Sequence, residues 1–181
     1  MKKFKLTSEF IVDISGVKLF RIKALIEFGN VKAGDLGGYI EKEENLSHMG
    51  NAWVSGNAQV FGDARVSGNA QVFGDAQVFG DARVFGDARV FGNAWVSGDK
   101  DYAYAHGFGS CNRTTTFFRL KDGDVGVRCG CFYGTLAQFR DNVCETHGET
   151  KKAQEYLMLA DLMELRFEED ENEVGNRKYV E

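Results

Sequence analysis

The sequence predicts a mainly β fold: a parallel β-helix built from a hexapeptide repeat, followed by a small α+β (ββαα) domain. Three observations predict it. From Asn51 to Gly98 the chain repeats six residues eight times without insertion, as NAWVSG, NAQVFG, DARVSG, NAQVFG, DAQVFG, DARVFG, DARVFG and NAWVSG. A strict hexad is the signature of a parallel β-helix. Beyond it, TTTFFRL and VGVRCGCF flank KDGD, a hairpin pattern with Asp122–Gly123 at the turn. Two segments with helical spacing of apolar residues then run from Thr135 to Phe167.

Residues 1–50 are expected to form an N-terminal cap and an irregular first coil. LFRIKALIEF (Leu19 to Phe28) is apolar with basic interruptions and suits a strand or a short helix. Leu36, Ile40 and Leu46 are expected to fill the first coil. Residues 51–104 form the repeat proper. In Ala-x-Val-x the side chains alternate across a short strand, so Ala and Val face one way and the x residues the other. The Gly-Asn or Gly-Asp that follows is turn chemistry, because these residues tolerate positive φ. Val54, Val60, Val66, Val72, Val78, Val84, Val90 and Val96 therefore point inward. So do the alanines from Ala52 to Ala94, where only a small side chain fits near a corner.

The pattern Val-x-Gly-Asx-Ala-x resembles the hexapeptide repeat of left-handed parallel β-helices. That resemblance implies three hexads per triangular coil, coils stacked at the ~4.8 Å strand spacing, and the left hand that right-handed crossovers otherwise avoid. Residues eighteen apart then stack in columns. One face carries Trp53, Gln71 and Arg89 with Ser55, Phe73 and Phe91. The second carries Gln59, Gln77 and Trp95 with Phe61, Phe79 and Ser97, and the third Arg65 and Arg83 with Ser67 and Phe85. Trp53, Phe61, Phe73, Phe79, Phe85, Phe91 and Trp95 all lie at outward positions, which is too much apolar surface for a lone monomer. Self-association is the expectation, as a homotrimer where the resemblance holds, with a partner protein or ligand groove as the alternative. A solenoid this short needs a cap at each end.

The stretch with RIKAL, VKAGDLGGYI and NLS ahead of the hexads resembles bacterial and phage hexapeptide-repeat proteins. Residues 105–170 are expected to form the ββαα domain. Thr135 and Gln138 make a capping box for a helix carrying Leu136, Phe139 and Val143 on one face and ending at Gly148. A second helix from about Thr150 to Phe167 buries Ala153, Tyr156, Leu157, Ala160, Met163 and Phe167. GS-x-N-x-TTTFFR, CGCFYGTLAQF and ETHG resemble a small domain of phage and prophage proteins. Residues 171–181 read as a flexible acidic tail.

The chain has 181 residues and a net charge of -5, which disfavours a general nucleic-acid surface. No stretch approaches the length of a membrane span, and MKKFKLTSEF lacks the apolar core of a secretory signal. The four cysteines then suit reduced thiols and a cytoplasmic location, the host cytoplasm for a phage protein.

Three chemistries compete. Left-handed β-helix acyltransferases use a histidine base on a loop that interrupts the coils, but no loop interrupts these hexads, and His48 and His106 lie outside them. Cys129, Cys131, Cys144 and His147 have ligand types that zinc favours, yet alternation along the strand favours inward-facing, buried thiols, and Cys111 has no partner motif for nucleophilic attack. Neither a metal nor another cofactor is expected. The third chemistry is ligand capture. Asn112, Arg113, Thr114, Thr115, Thr116, Phe118 and Arg119, with His106 and Arg128, gather hydroxyls, cations and an aromatic ring suited to phosphate and a base. The competing reading of these threonines is simple strand propensity.

The expected function is that of a non-enzymatic oligomeric binding protein. The phage-type resemblance implies antagonism of host defence, by sequestering a nucleotide-type signal or by blocking a defence protein. An acyl- or nucleotidyl-transferase and a purely structural oligomer are the alternatives.

Overall fold

A computed structural model describes residues 1–110 and 112–168. Cys111 and the acidic tail at 171–181 lie outside the described residues. Each hexad contributes one two-residue strand: β4 (Trp53–Val54), β5 (Gln59–Val60), β6 (Arg65–Val66), β7 (Gln71–Val72), β8 (Gln77–Val78), β9 (Arg83–Val84), β10 (Arg89–Val90) and β11 (Trp95–Val96). They pair in parallel with the eighteen-residue register: Trp53 with Gln71 and Gln71 with Arg89, Gln59 with Gln77 and Gln77 with Trp95, Arg65 with Arg83. These are the three expected columns, and the product is a β-solenoid of about three turns. Every repeat valine and alanine is buried in one core. The hexad glycines from Gly56 to Gly92 turn the corners at φ between +63° and +75°.

At the entry, β1 (Phe4–Val12) and β2 (Lys18–Ala24) form an antiparallel hairpin, and β2 pairs with β3 (Leu36–Ile40). LFRIKALIEF therefore supplies a strand rather than a helix. β3 joins the solenoid in parallel, Ile40 opposite Val60, and Leu46 bridges Val66. Ile40 and Leu46 fill the irregular coil as expected. Leu36 does not: it starts β3 on the solvent side, 51% exposed.

The ends are closed by a simple rule. Within the solenoid the N–H of the first outward residue of a strand donates to the alanine carbonyl one coil further on: Trp53 to Ala70 (3.0 Å), Gln59 to Ala76 (2.9 Å), Arg65 to Ala82 (2.9 Å). The first coil's alanine carbonyls have no such donor, and each receives a substitute. Ala52 O accepts from Lys3 Nζ at 2.7 Å, Ala58 O from Tyr39 N at 2.9 Å, and Ala64 O from Asn45 Nδ2 at 2.9 Å. The last coil lacks the next alanine. There Arg83 N donates to Asp99 Oδ1 at 2.7 Å and Arg89 N to Thr116 Oγ1 at 3.0 Å. Ala94 bridges Leu120 instead. Buried backbone groups thus keep partners at both ends.

The C-terminal unit contains the expected hairpin and both helices within a larger sheet than ββαα. β12 (Tyr102–Phe108), β13 (Arg113–Arg119), β14 (Val125–Cys129) and β15 (Phe132–Thr135) lie antiparallel in that order. VGVRCGCF is not one strand: Gly130, at φ +58°, turns the chain so that Phe132 starts β15. Cys131 is consequently exposed and Cys129 half-buried, so the pair does not face inward together. α1 (Leu136–His147) begins with the capping box, Gln138 N donating to Thr135 Oγ1 at 3.3 Å and Thr135 N to Gln138 Oε1 at 2.9 Å. α2 (Lys151–Phe167) is capped by Thr150 and packs on α1 and β12.

β13 joins the two parts. Thr116 and Phe118 sit opposite Arg128 and Gly126, while Phe117 sits opposite Val127. Phe118 belongs to the solenoid core and Phe117 to the core beneath the helices, so consecutive residues serve two cores.

Candidate ligand-binding site

The double coverage of β13 decides which sequence-selected residues can meet a ligand. Thr115, Thr116 and Phe118 are buried. Thr115 Oγ1 lies 3.2 Å from Cys129 Sγ, Thr116 Oγ1 accepts from Arg89 N, and Phe118 presses on Gly126. These three are corrected to structural roles, because both faces of the strand are sealed. Arg119 is also elsewhere: it donates to Gly123 O at 2.9 Å and to Phe167 O at 2.7 Å, closing the end of α2. Arg128 braces the β14–β15 turn, donating to Cys131 O at 3.2 Å, and stands 5.8 Å from the Phe91 ring. Asn112 is exposed at φ +47°, a left-handed turn position at the mouth of β13.

His106, Arg113 and Thr114 do come together. They line a groove of about 480 Å³ with Asp87, Arg89 and Gly130, at the junction of the last coil and the C-terminal sheet. His106 Nδ1 is 3.0 Å from Thr114 Oγ1. Arg113 lies across Gly130, where a Cβ would come within 2.3 Å of its Nη1. Asp87 is partly occupied, since its Oδ1 accepts from Asn69 Nδ2 at 3.0 Å. Two guanidinium groups, an imidazole and a hydroxyl therefore converge against one carboxylate. Forked guanidinium donors match the oxygens of phosphate.

Sequence reasoning did not select Asp87, Arg89 or Gly130. DARVFG occurs twice in succession, and nothing within the second copy marks it as facing a groove. What distinguishes it is the strand that meets it, β13, through Arg89 N and Thr116 Oγ1.

The other candidates separate. His48 is part of the entry cap: its ring stacks on Phe4 at 4.3 Å and its Nδ1 accepts from Lys3 N at 3.2 Å. Among the described residues, no three His, Cys, Asp or Glu side chains assemble into a metal-holding group. The outward aromatics are partly covered by the chain itself. Phe28 closes over Trp53, which is 6% exposed, and Tyr133 meets Phe91, which in turn meets Phe73. Phe61, Phe79 and Trp95 are half-buried in a stack of their own. Phe85 remains 48% exposed.

Comparison with known families finds a similarity in the repeat. The solenoid is similar to the YdcK beta-solenoid repeat. The match covers residues 58–74 and 82–98, both within the hexads. It takes in Asp87 and Arg89 on the solenoid side of the junction groove and does not reach the C-terminal sheet. No curated protein matches the chain. No helix among the described residues is long and apolar enough to cross a membrane.

Proposed function

We propose that this chain is a binding protein that captures a small phosphate-bearing ligand of nucleotide type in the junction groove. The observation that carries this reading is the convergence of Arg89, Arg113, His106 and Thr114 on one groove with Asp87 as its carboxylate. The donors come from the solenoid on one side and from the sheet on the other. Such a groove needs only a preformed shape and complementary charge, with no turnover. Sequestration of a nucleotide signal in a phage-infected cell is the setting that the sequence resemblance implies.

Calorimetric titration of ADP into the whole protein tests this reading. Arg113→Ala should weaken binding by about tenfold or more, and ADP should be recovered chemically unchanged. No heat of binding with ADP or pyrophosphate would defeat the proposal.

One contact favours a second reading. The 3.0 Å approach of His106 Nδ1 to Thr114 Oγ1 is that of a base beside a hydroxyl nucleophile, as a group transferase would need. Among the described residues no third group hydrogen-bonds the imidazole to orient it. Turnover of acetyl-CoA or a nucleotide that disappears in His106→Ala would support transfer over capture.

The proposal includes self-association, with the homotrimer implied by the resemblance. The solenoid face bearing β6 and β9 supports it, because Arg65, Arg83 and Phe85 are all exposed there. Native mass spectrometry of the purified protein reads both the oligomer and any retained ligand. A monomer would remove the oligomeric part of the proposal and leave capture standing.

A further inference from the structure

Over another face of the solenoid lies a cleft of about 440 Å³ that the repeat does not make alone. Its floor is the aromatic column. The Phe61 and Phe79 rings are 5.2 Å apart and 8° from parallel, and Trp95 meets Phe79 edge-on at 4.9 Å. Its roof is the tip of the β1–β2 hairpin, residues 11–15. That tip is tied down by Asp13, whose carboxylate accepts from Ser15 Oγ (2.7 Å), Ser15 N (3.0 Å) and Val17 N (2.8 Å). The Ser15 hydroxyl is the largest cause holding the Asp13 carboxyl below its ordinary range. Asp13 is thus held as an ionised acceptor within the turn. Beside it, Val12 and Ile14 line the cleft and are exposed, by 54% and 102%.

Lys121 closes one end. Its backbone N–H donates to Asn93 O at 3.1 Å, and its ammonium stands 5.5 Å from the centre of the Trp95 ring. Lys121 makes no ion pair among the described residues.

We propose that this cleft binds a small aromatic carboxylate, its ring between the hairpin tip and the aromatic column and its carboxylate on Lys121. Three features support that class. The volume and the mostly apolar lining suit a small organic molecule. The two phenyl rings and the indole already lie at aromatic contact distances from one another, so a further ring extends a cluster that is in place. Offset or edge-to-face ring pairs gain more than their area burial, which an alkyl chain does not. The Lys121 ammonium, which has no ion-pair partner among the described residues, favours an anion at its end of the cleft. This site is separate from the junction groove in residues and in chemistry, so either can fail without the other.

The test is a titration of the whole protein with naphthoate, followed by the indole N–H signals of its two tryptophans in an NMR spectrum. Trp95 lies in the cleft, and Trp53, sealed beneath Phe28 at 5.3 Å, is the internal reference. The Trp95 signal should move saturably while Trp53 stays fixed. Lys121→Gln, at an exposed position, should weaken naphthoate by about tenfold and leave the neutral naphthylmethanol unaffected. Ile14→Ser should weaken both. Movement of both indoles, absence of saturation, or equal naphthoate affinity in Lys121→Gln would overturn the proposal. A Trp95 signal that shifts with protein concentration alone would assign the cleft to a second copy and overturn it as well.

Discussion

Lys3 shows how much one residue outside the repeat contributes to it. Its side chain is buried at the solenoid entry, bonded to Ala52 O and 4.8 Å from the centre of the Phe28 ring. Burial lowers its pKa from 10.5 to about 8. Below that value both folded and unfolded chains hold the proton, and the folded state carries the full penalty of a buried charge. Between about 8 and 10.5 only the unfolded chain stays protonated, so stability rises with pH across this window. Urea denaturation on either side of the window should show the rise in the natural protein and lose it in Lys3→Met. Asn69 makes a second residue-scale prediction. It accepts from Asn51 Nδ2 at 3.2 Å and donates to Asp87 at 3.0 Å, an amide ladder ending in a carboxylate. Asn69→Asp would set two carboxylates side by side. A loss of up to about 1 kcal/mol at neutral pH is expected, relieved on acidification, and thermal melts at both pH values would read it.

At the scale of the element, each hexad strand is a compromise between a filled and a crowded interior. Val78 and Ala76 are both fully buried in the second coil. Val78→Ala removes apolar volume and should cost about 2 kcal/mol, while Ala76→Val forces a branched side chain against a corner and should cost about 1–3 kcal/mol. Denaturant midpoints of the two variants would show losses in both directions of volume change. This inward pattern was legible because it repeats: Ala, Val and Gly recur every six residues, and their roles follow from alternation alone. The caps were not legible. Lys3 and Asn45 act on carbonyls 49 and 19 residues away, a reach that no local spacing announces. The candidate site was half legible for a related reason. Alternation along β13 separates Thr114, Thr116 and Phe118 from Thr115 and Phe117, but it does not reveal that both faces are covered. The strand break at Gly130, which exposes Cys131, was likewise hidden, since Cys-Gly-Cys continues an acceptable strand pattern.

For the whole molecule, β13 makes the solenoid and the C-terminal unit one folding entity. Phe118 closes the repeat core and Phe117 anchors the helices. Phe117→Ala and Phe118→Ala should therefore lower the same unfolding transition, each by about 3–5 kcal/mol. Calorimetry should show a single peak in each variant; two separated peaks would show that the cores melt independently.

The eighteen-residue register also makes repeat number a control on geometry. Insertion of three hexads would carry the C-terminal sheet one coil further along the axis and leave its bearing unchanged. Insertion of a single hexad would rotate the sheet by a third of a turn relative to the β1–β2 hairpin. The bearing of Lys121, which travels with the C-terminal sheet, relative to the hairpin tip is thus set in discrete steps by copy number, and a single added hexad would take the two off a common face and open the aromatic cleft.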